Sequence, residues 1–140
     1  MSIPFGAVIP FVDHLGFTLE KFEGGHSELR YVPLAHHLNS FDVTHGGAVM
    51  TLLDVVMATA ARSVEQDMGV VTIEMKTSFM RPAKVTAGQA LQAKGQLLHR
   101  TRSMAFTEGK VFDSDGQLCA HATGTFKYVA RRASSSPATD

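Results

Sequence analysis

The sequence predicts an α+β fold in which an antiparallel sheet of about five to six strands surrounds one long helix. Three observations carry this: a single Pro-free stretch with helical apolar spacing, two strand-like segments before it and about four after it, and two short turns of the hairpin kind. Residues 17–22 and 26–32 flank Glu23-Gly24-Gly25, a sequence suited to a tight antiparallel turn. A loop rich in His and Asn then leads into the helix, placed at roughly 46–65. Residues 70–80 alternate in polarity towards a stop at Pro82, and 90–98 form the next strand. Segments 103–112 and 118–128 are joined by Asp113-Ser114-Asp115-Gly116, whose Asp and Gly residues favour a turn. No segment recurs at a spacing of 20–50 residues.

With 140 residues, of which 44% are apolar, the chain can bury one core without staples, which excludes disorder of the whole chain. The domain is expected over residues 1–130. The last ten residues, RRASSSPATD, are too polar to pack and read as a disordered tail. Charged residues make up 19%, below the usual ~25%, as expected where self-association withdraws surface from water. Cys119 is the only cysteine, so an intramolecular disulfide and a cysteine-based zinc cage are both excluded, and a reducing compartment is expected. The first 16 residues lack a basic leading region and an uninterrupted apolar run, unlike a secretory signal. Asp54 interrupts the longest apolar stretch, so no membrane span is expected, and the protein is placed in the cytoplasm.

The net charge of zero is unevenly distributed. Residues 1–70 hold three Lys/Arg against eight Asp/Glu, and residues 71–140 hold ten against five. A ligand bearing phosphate is favoured by the second half, whereas nucleic acid is not expected, because the cations are dispersed among apolar positions without a binding motif.

The helix is the most informative segment. At 100° per residue, Val49, Leu52, Leu53, Val56, Met57 and Ala60 form one broad apolar stripe that should face the sheet. Asp54 lies about 140° from its centre, beside Gly47, Met50, Thr51 and Ala58. A solvated face would carry Lys, Glu and Gln, yet Asp54 is the only charge between residues 46 and 61. In a domain with one helix, such a second face must meet another subunit. From position alone, Asp54 suits a lone carboxylate at that interface no better than a structural residue that caps a loop or pairs with Arg62. The approach to the helix, residues 36–47, reads HHLNSFDVTHGG. Paired glycines at a helix start let a ligand atom reach the backbone, where free N–H groups and the positive dipole end favour a developing negative oxygen.

Asn39, six residues before His45-Gly46-Gly47, and Asp54, eight after Gly46, resemble the motif of hotdog-fold acyl-CoA thioesterases of the PaaI type. The likeness continues through VVTIEMK at 70–76 and FMRPA at 79–83 and spans roughly residues 11–129. It implies a hotdog fold, hydrolysis of an acyl-CoA to free acid and coenzyme A, and a homodimer that pairs into a dimer of dimers. Asp54 would be the general base that activates water, or a nucleophile on the carbonyl. The Gly46 N–H would hold the oxyanion with help from Asn39, and Thr72 would position the water. His45 and Gly47 belong to the substrate-binding loop, with His45 serving loop geometry rather than proton transfer. Arg81, Arg100 and Arg102 are candidate contacts for the phosphates of coenzyme A. One departure is Asp42, which stands where many relatives carry Gly and which is expected to alter pocket shape or charge.

Spacing adds an independent argument for a shared site. Gly46 and Asp54 are eight residues apart, about 12 Å along a helix, too far for one Asp to reach a carbonyl held at Gly46. If both act on one thioester they come from different chains. No metal and no organic cofactor are expected: among His36, His37 and His45, adjacent side chains should point apart and no carboxylate or thiol completes a ligand set. Cys119 reads as an inert core thiol. Two rival functions are a hotdog domain that senses acyl-CoA without turnover, and a hydratase or dehydratase. The second would need a His paired with a carboxylate near the acyl β-carbon, and its motif is absent.

Overall fold

The computed structural model describes residues 2–86 and 88–131; the expected tail, from residue 132 onward, lies outside the described residues. The elements run α1 (Pro10–Leu15), β1 (Thr18–Glu23), β2 (His26–Tyr31), a 3-10 turn (Ala35–His37), α2 (Gly46–Arg62), β3 (Met68–Phe79), β4 (Leu91–Arg100), β5 (Met104–Phe112) and β6 (Leu118–Ala130). Six strands form one antiparallel sheet in the order β1-β2-β4-β5-β6-β3, and α2 packs against all of them. The strand that follows the helix therefore lies at the sheet edge, paired with β6 from Met68↔Ala130 to Phe79↔Ala120.

The predicted stripe is the core face of α2. Val49, Leu52, Leu53, Val56, Met57 and Ala60 are all buried, together with Leu29, Ala93, Val111 and Phe126 of the sheet. Gly95 lets the helix come this close. A Cβ on it would lie 2.8 Å from the Val56 carbonyl carbon and closer still to the oxygen. On the neighbouring strand, paired to Gly95, the Ser27 hydroxyl donates to that same Val56 carbonyl. Asp54 is thereby fixed on the side of the helix that faces away from this seam.

The β1–β2 turn holds Gly24 at φ 58° and Gly25 at φ 85°, the pair of left-handed residues that a two-residue hairpin with native twist requires. In the second hairpin, Asp113 Oδ1 accepts the N–H groups of Asp115 and Gln117, both at 2.9 Å. Two features depart from expectation. The helix ends at Arg62 rather than near residue 65, because the Ser63 hydroxyl donates to the Ala60 carbonyl and accepts the Gly25 N–H, each at 2.7 Å, tying the C-terminus to the first hairpin. The short helix α1 was not foreseen, although Pro10 in its first turn and Gly16 in the left-handed C-cap conformation at φ 80° are its sequence signals. Among the described residues, no helix is long and apolar enough to cross a membrane.

Candidate active site

The loop before α2 is held by its own polar groups. Asn39 Oδ1 accepts the N–H groups of Phe41 (2.8 Å) and Val43 (3.2 Å), and the Asn39 N–H donates to the Val43 carbonyl at 2.7 Å. These bonds assign the oxygen of the amide to the loop and leave Nδ2 as its free donor end. Asp42 sits at φ 59°, a conformation that Gly adopts without strain and that Asp tolerates better than most residues. The departure at Asp42 thus falls on a backbone constraint, and its side chain is exposed.

His45 caps α2: its Nδ1 accepts the Gly47 N–H at 2.8 Å, so this nitrogen is a lone-pair acceptor rather than a proton donor. Its carbonyl accepts the N–H groups of Ala48 (2.9 Å) and Val49 (3.1 Å). Of the first-turn N–H groups, that of Gly46 alone has no acceptor among the described residues. It is therefore the donor left for a ligand at the positive end of the helix. Gly46 opens on a groove of about 480 Å³ lined also by Asn39, Phe41, Val43, Val49, Phe79, Met80 and Arg81. Its walls are mostly apolar, and the Phe79 ring lies 3.6 Å from where a Gly46 Cβ would be. The sequence reading gave Phe41, Phe79 and Met80 no role. For Phe79 and Met80 the available signal was FMRPA at the end of β3, which brings both beside Gly46 in the groove; the Met80 N–H donates to the Cys119 carbonyl at 2.8 Å.

Asp54 lies outside that groove. Its Oδ1 accepts the Thr72 hydroxyl at 2.6 Å, a charge-assisted bond across the face of α2 turned away from the Gly95 seam. Burial raises the pKa of this half-buried carboxylate, and the Thr72 hydrogen bond opposes the rise. Thr72 precedes a register shift in β3 and is flanked by Val71 and Ile73, which are 46% and 54% exposed. One chain thus brings the predicted residues together as two separate sets: Asn39, Gly46 and Arg81 around the groove, and Asp54 with Thr72 on the open face.

The remaining candidates lie elsewhere. Gly47 and His45 border a different cavity, on the side of the cap facing α1. Arg81 lines the groove and donates to Gln117 Oε1 at 2.7 Å. Arg100 pairs with Glu65 at 3.0 Å and its guanidinium carbon lies 4.3 Å from the centre of the Tyr128 ring, so it serves the packing near the C-terminus of α2. Arg102 is exposed in the β4–β5 connection. Cys119 is buried, and burial pushes its thiol pKa up, away from reactivity. The histidine expectation needs correcting. Adjacent His36 and His37 do not point apart, because the 3-10 turn brings their ring centroids to 4.4 Å, and His14 from α1 joins them.

These features define the scaffold of a hotdog thioesterase of the PaaI type. The thioesterase superfamily model matches residues 41–120, which hold Gly46, Asp54, Thr72 and Arg81, and the chain belongs to this family. A Caenorhabditis elegans protein named as an esterase is 35% identical over 94 residues, 66% of this chain and 54% of the relative, so the chain spans about half of that protein. Human acyl-coenzyme A thioesterase 13 is 30% identical over 90 residues, 64% of this chain and 63% of the relative. Among solved structures, conserved protein PA5202 from Pseudomonas aeruginosa superposes with a TM-score of 0.80 at 29% identity, over 89% of this chain and 97% of that one. A variant of the phenylacetic acid degradation protein PaaI from Thermus thermophilus gives 0.76 at 26% identity, over 86% and 100%.

Proposed function

We propose that the protein is an acyl-CoA thioesterase whose catalytic site is completed across a subunit interface. The observation that carries this reading is the separation of the two sets: the groove holding Asn39 and the unused Gly46 N–H does not include Asp54, which is paired with Thr72 on an open face. A second copy has reason to cover that face. β3 is an edge strand with unpaired backbone groups, and Val71, Ile73 and Met50 are exposed beside Asp54.

In the dimer, the acyl chain lies in the groove along Phe41, Phe79 and Met80 of one chain, with its carbonyl oxygen against the Gly46 N–H and the Asn39 amide donor. The other chain's Asp54 takes a proton from water, with Thr72 orienting the carboxylate. The water oxygen bonds to the carbonyl carbon, and the tetrahedral oxyanion is held at Gly46. Collapse breaks the carbon–sulfur bond, the leaving thiolate takes the proton back from Asp54, and free acid and coenzyme A are released. The nucleotide end of coenzyme A meets the basic half of the chain, for which Arg81 and the exposed Arg102 have their charges more open than Arg100. No metal or organic cofactor takes part in these steps.

Mixed dimers test the proposal. Asp54→Asn and Asn39→Ala should each lose turnover alone; co-expressed with different tags, they form dimers with one intact site and one doubly lesioned site. Turnover of acyl-CoA should return to about half the wild-type level per mixed dimer. A purified mixed dimer as inactive as its parents overturns the shared site. Tight acyl-CoA binding by the wild type without thiol release would favour a sensor, and water addition to an enoyl-CoA would favour a hydratase.

A further inference from the structure

On the side of the His45 cap away from the groove lies a cavity of about 280 Å³, with His14, His36 and His37 in its wall. His14 comes from the last turn of α1, and the other two from the 3-10 turn. The ring centroids are 5.9 Å (14–36), 6.1 Å (14–37) and 4.4 Å (36–37) apart, and one ligating nitrogen of each lies within 4.8 Å of the other two. Three imidazoles bound to a tetrahedral ion at a metal–nitrogen distance of about 2.0–2.1 Å have centroids roughly 5 Å apart. His14 and His36 are exposed, which leaves their rings room to turn towards that spacing.

His37 supplies a second, independent observation. It is only 6% exposed, and its Nδ1 is engaged, accepting the Leu34 N–H at 3.1 Å and lying 2.8 Å from the Tyr31 hydroxyl. Its Nε2 is buried without a partner among the described residues. A buried imidazole nitrogen left unpaired is disfavoured, and an ion would satisfy it. With Nε2 on a metal, the remaining ring proton sits on Nδ1 and donates to the Tyr31 oxygen, the outer-shell arrangement that fixes the tautomer of a metal-bound histidine. That tautomer gives up the Leu34 N–H bond to Nδ1, so the metal-bound state exchanges this hydrogen bond for the bond from Nε2 to the ion.

We propose that His14, His36 and His37 form a three-imidazole site for a first-row transition-metal ion of the zinc type, its fourth position open to water. The ion would tie α1 to the turn that leads into Asn39. The His37 carbonyl accepts the His45 N–H at 2.9 Å, so the same turn braces the start of α2. The ion would hold the two segments together beside the groove while keeping a water-exchangeable position, independent of whether the groove hydrolyses thioesters.

The test uses the tag-free full chain after EDTA treatment, titrated with Zn²⁺ against a chromophoric chelator at neutral pH, with Co²⁺ absorption as a second readout. The wild type should bind a single ion per chain and give the visible bands of a tetrahedral Co²⁺ complex, and its melting temperature should rise with zinc. His14→Ala and His36→Ala, both at exposed rings, should melt like the wild type without metal and bind zinc at least about tenfold more weakly. His26→Ala, an exposed imidazole elsewhere, should bind as the wild type does. The proposal is overturned if the double variant His14→Ala/His36→Ala binds zinc as tightly as the wild type, or if the wild type binds no stoichiometric ion.

Discussion

Replacing Gly95 by Ala would probe the contact on which the placement of α2 against the sheet depends. The added Cβ would lie 2.8 Å from the Val56 carbonyl carbon, closer to its oxygen, and 2.9 Å from Ser27 Oγ, where ordinary contact begins at 3.4 Å. The shortfall is about 0.6 Å at the carbon and larger at the oxygen, and the obstacle is helix backbone, which cannot rotate away as a side chain can. Either α2 lifts from the sheet, loosening Leu52, Leu53, Val56 and Met57, or β4 deforms. Overpacking of this kind costs roughly 1–3 kcal/mol. Displacing the buried Ser27 hydroxyl from the Val56 carbonyl adds about 1–3 kcal/mol. A total near 3 kcal/mol is a large share of the ~5–15 kcal/mol that holds a domain together, and should lower the melting temperature by roughly 10–15 °C. Urea unfolding and a thermal melt would measure it, with Gly69→Ala as control, since a Cβ there meets Val129 Cγ2 at an unstrained 3.6 Å and should change stability by less than about 0.5 kcal/mol. If the two variants unfold alike, the close approach of helix to sheet does not rest on Gly95.

Asp54→Asn should reduce kcat by about 10²–10⁴-fold in a thiol-release assay, because the amide cannot take a proton from water. The same variant carries a stability signature: burial holds the folded pKa of Asp54 above its unfolded value, so the ionised carboxylate costs folding free energy at neutral and higher pH, and the cost disappears as falling pH protonates it. The Asn variant should therefore melt at or above the wild type at pH 8, with the difference shrinking as pH falls towards the carboxylate range. Thr72→Val removes the hydrogen bond that lowers the Asp54 pKa, so the acid limb of kcat/KM should move to higher pH; an unmoved limb would separate Thr72 from the base. Arg102→Ala should raise KM for acyl-CoA and flatten its salt dependence while sparing a truncated thioester without the nucleotide, whereas Arg100→Ala should act mainly on thermal stability through Glu65 and Tyr128.

The sequence by itself determined the strands and the central helix, though not α1 or the exact end of α2, because these elements are written in local signals. Helical spacing at Val49, Leu52, Leu53, Val56 and Met57 named the buried face of α2, and the glycines at 24 and 25 named the first hairpin. The charge-free second face of α2 made Asp54 conspicuous, and the resemblance of residues 39–54 pointed to the thioesterase family that the fold bears out. Tertiary structure decided what depends on distance through space. It put β3 at the sheet edge beside Asp54, so that the Thr72 hydroxyl, eighteen residues on, meets the carboxylate. By capping Gly47 with His45 Nδ1, it left Gly46 as the unoccupied donor. Arg100 was drawn into a pair with Glu65, a partner 35 residues away that no local pattern identifies. The histidine cluster shows the limit most clearly: strand-like alternation would separate His36 from His37, but a 3-10 turn turns both rings the same way, and only the packing of α1 brings His14 to them.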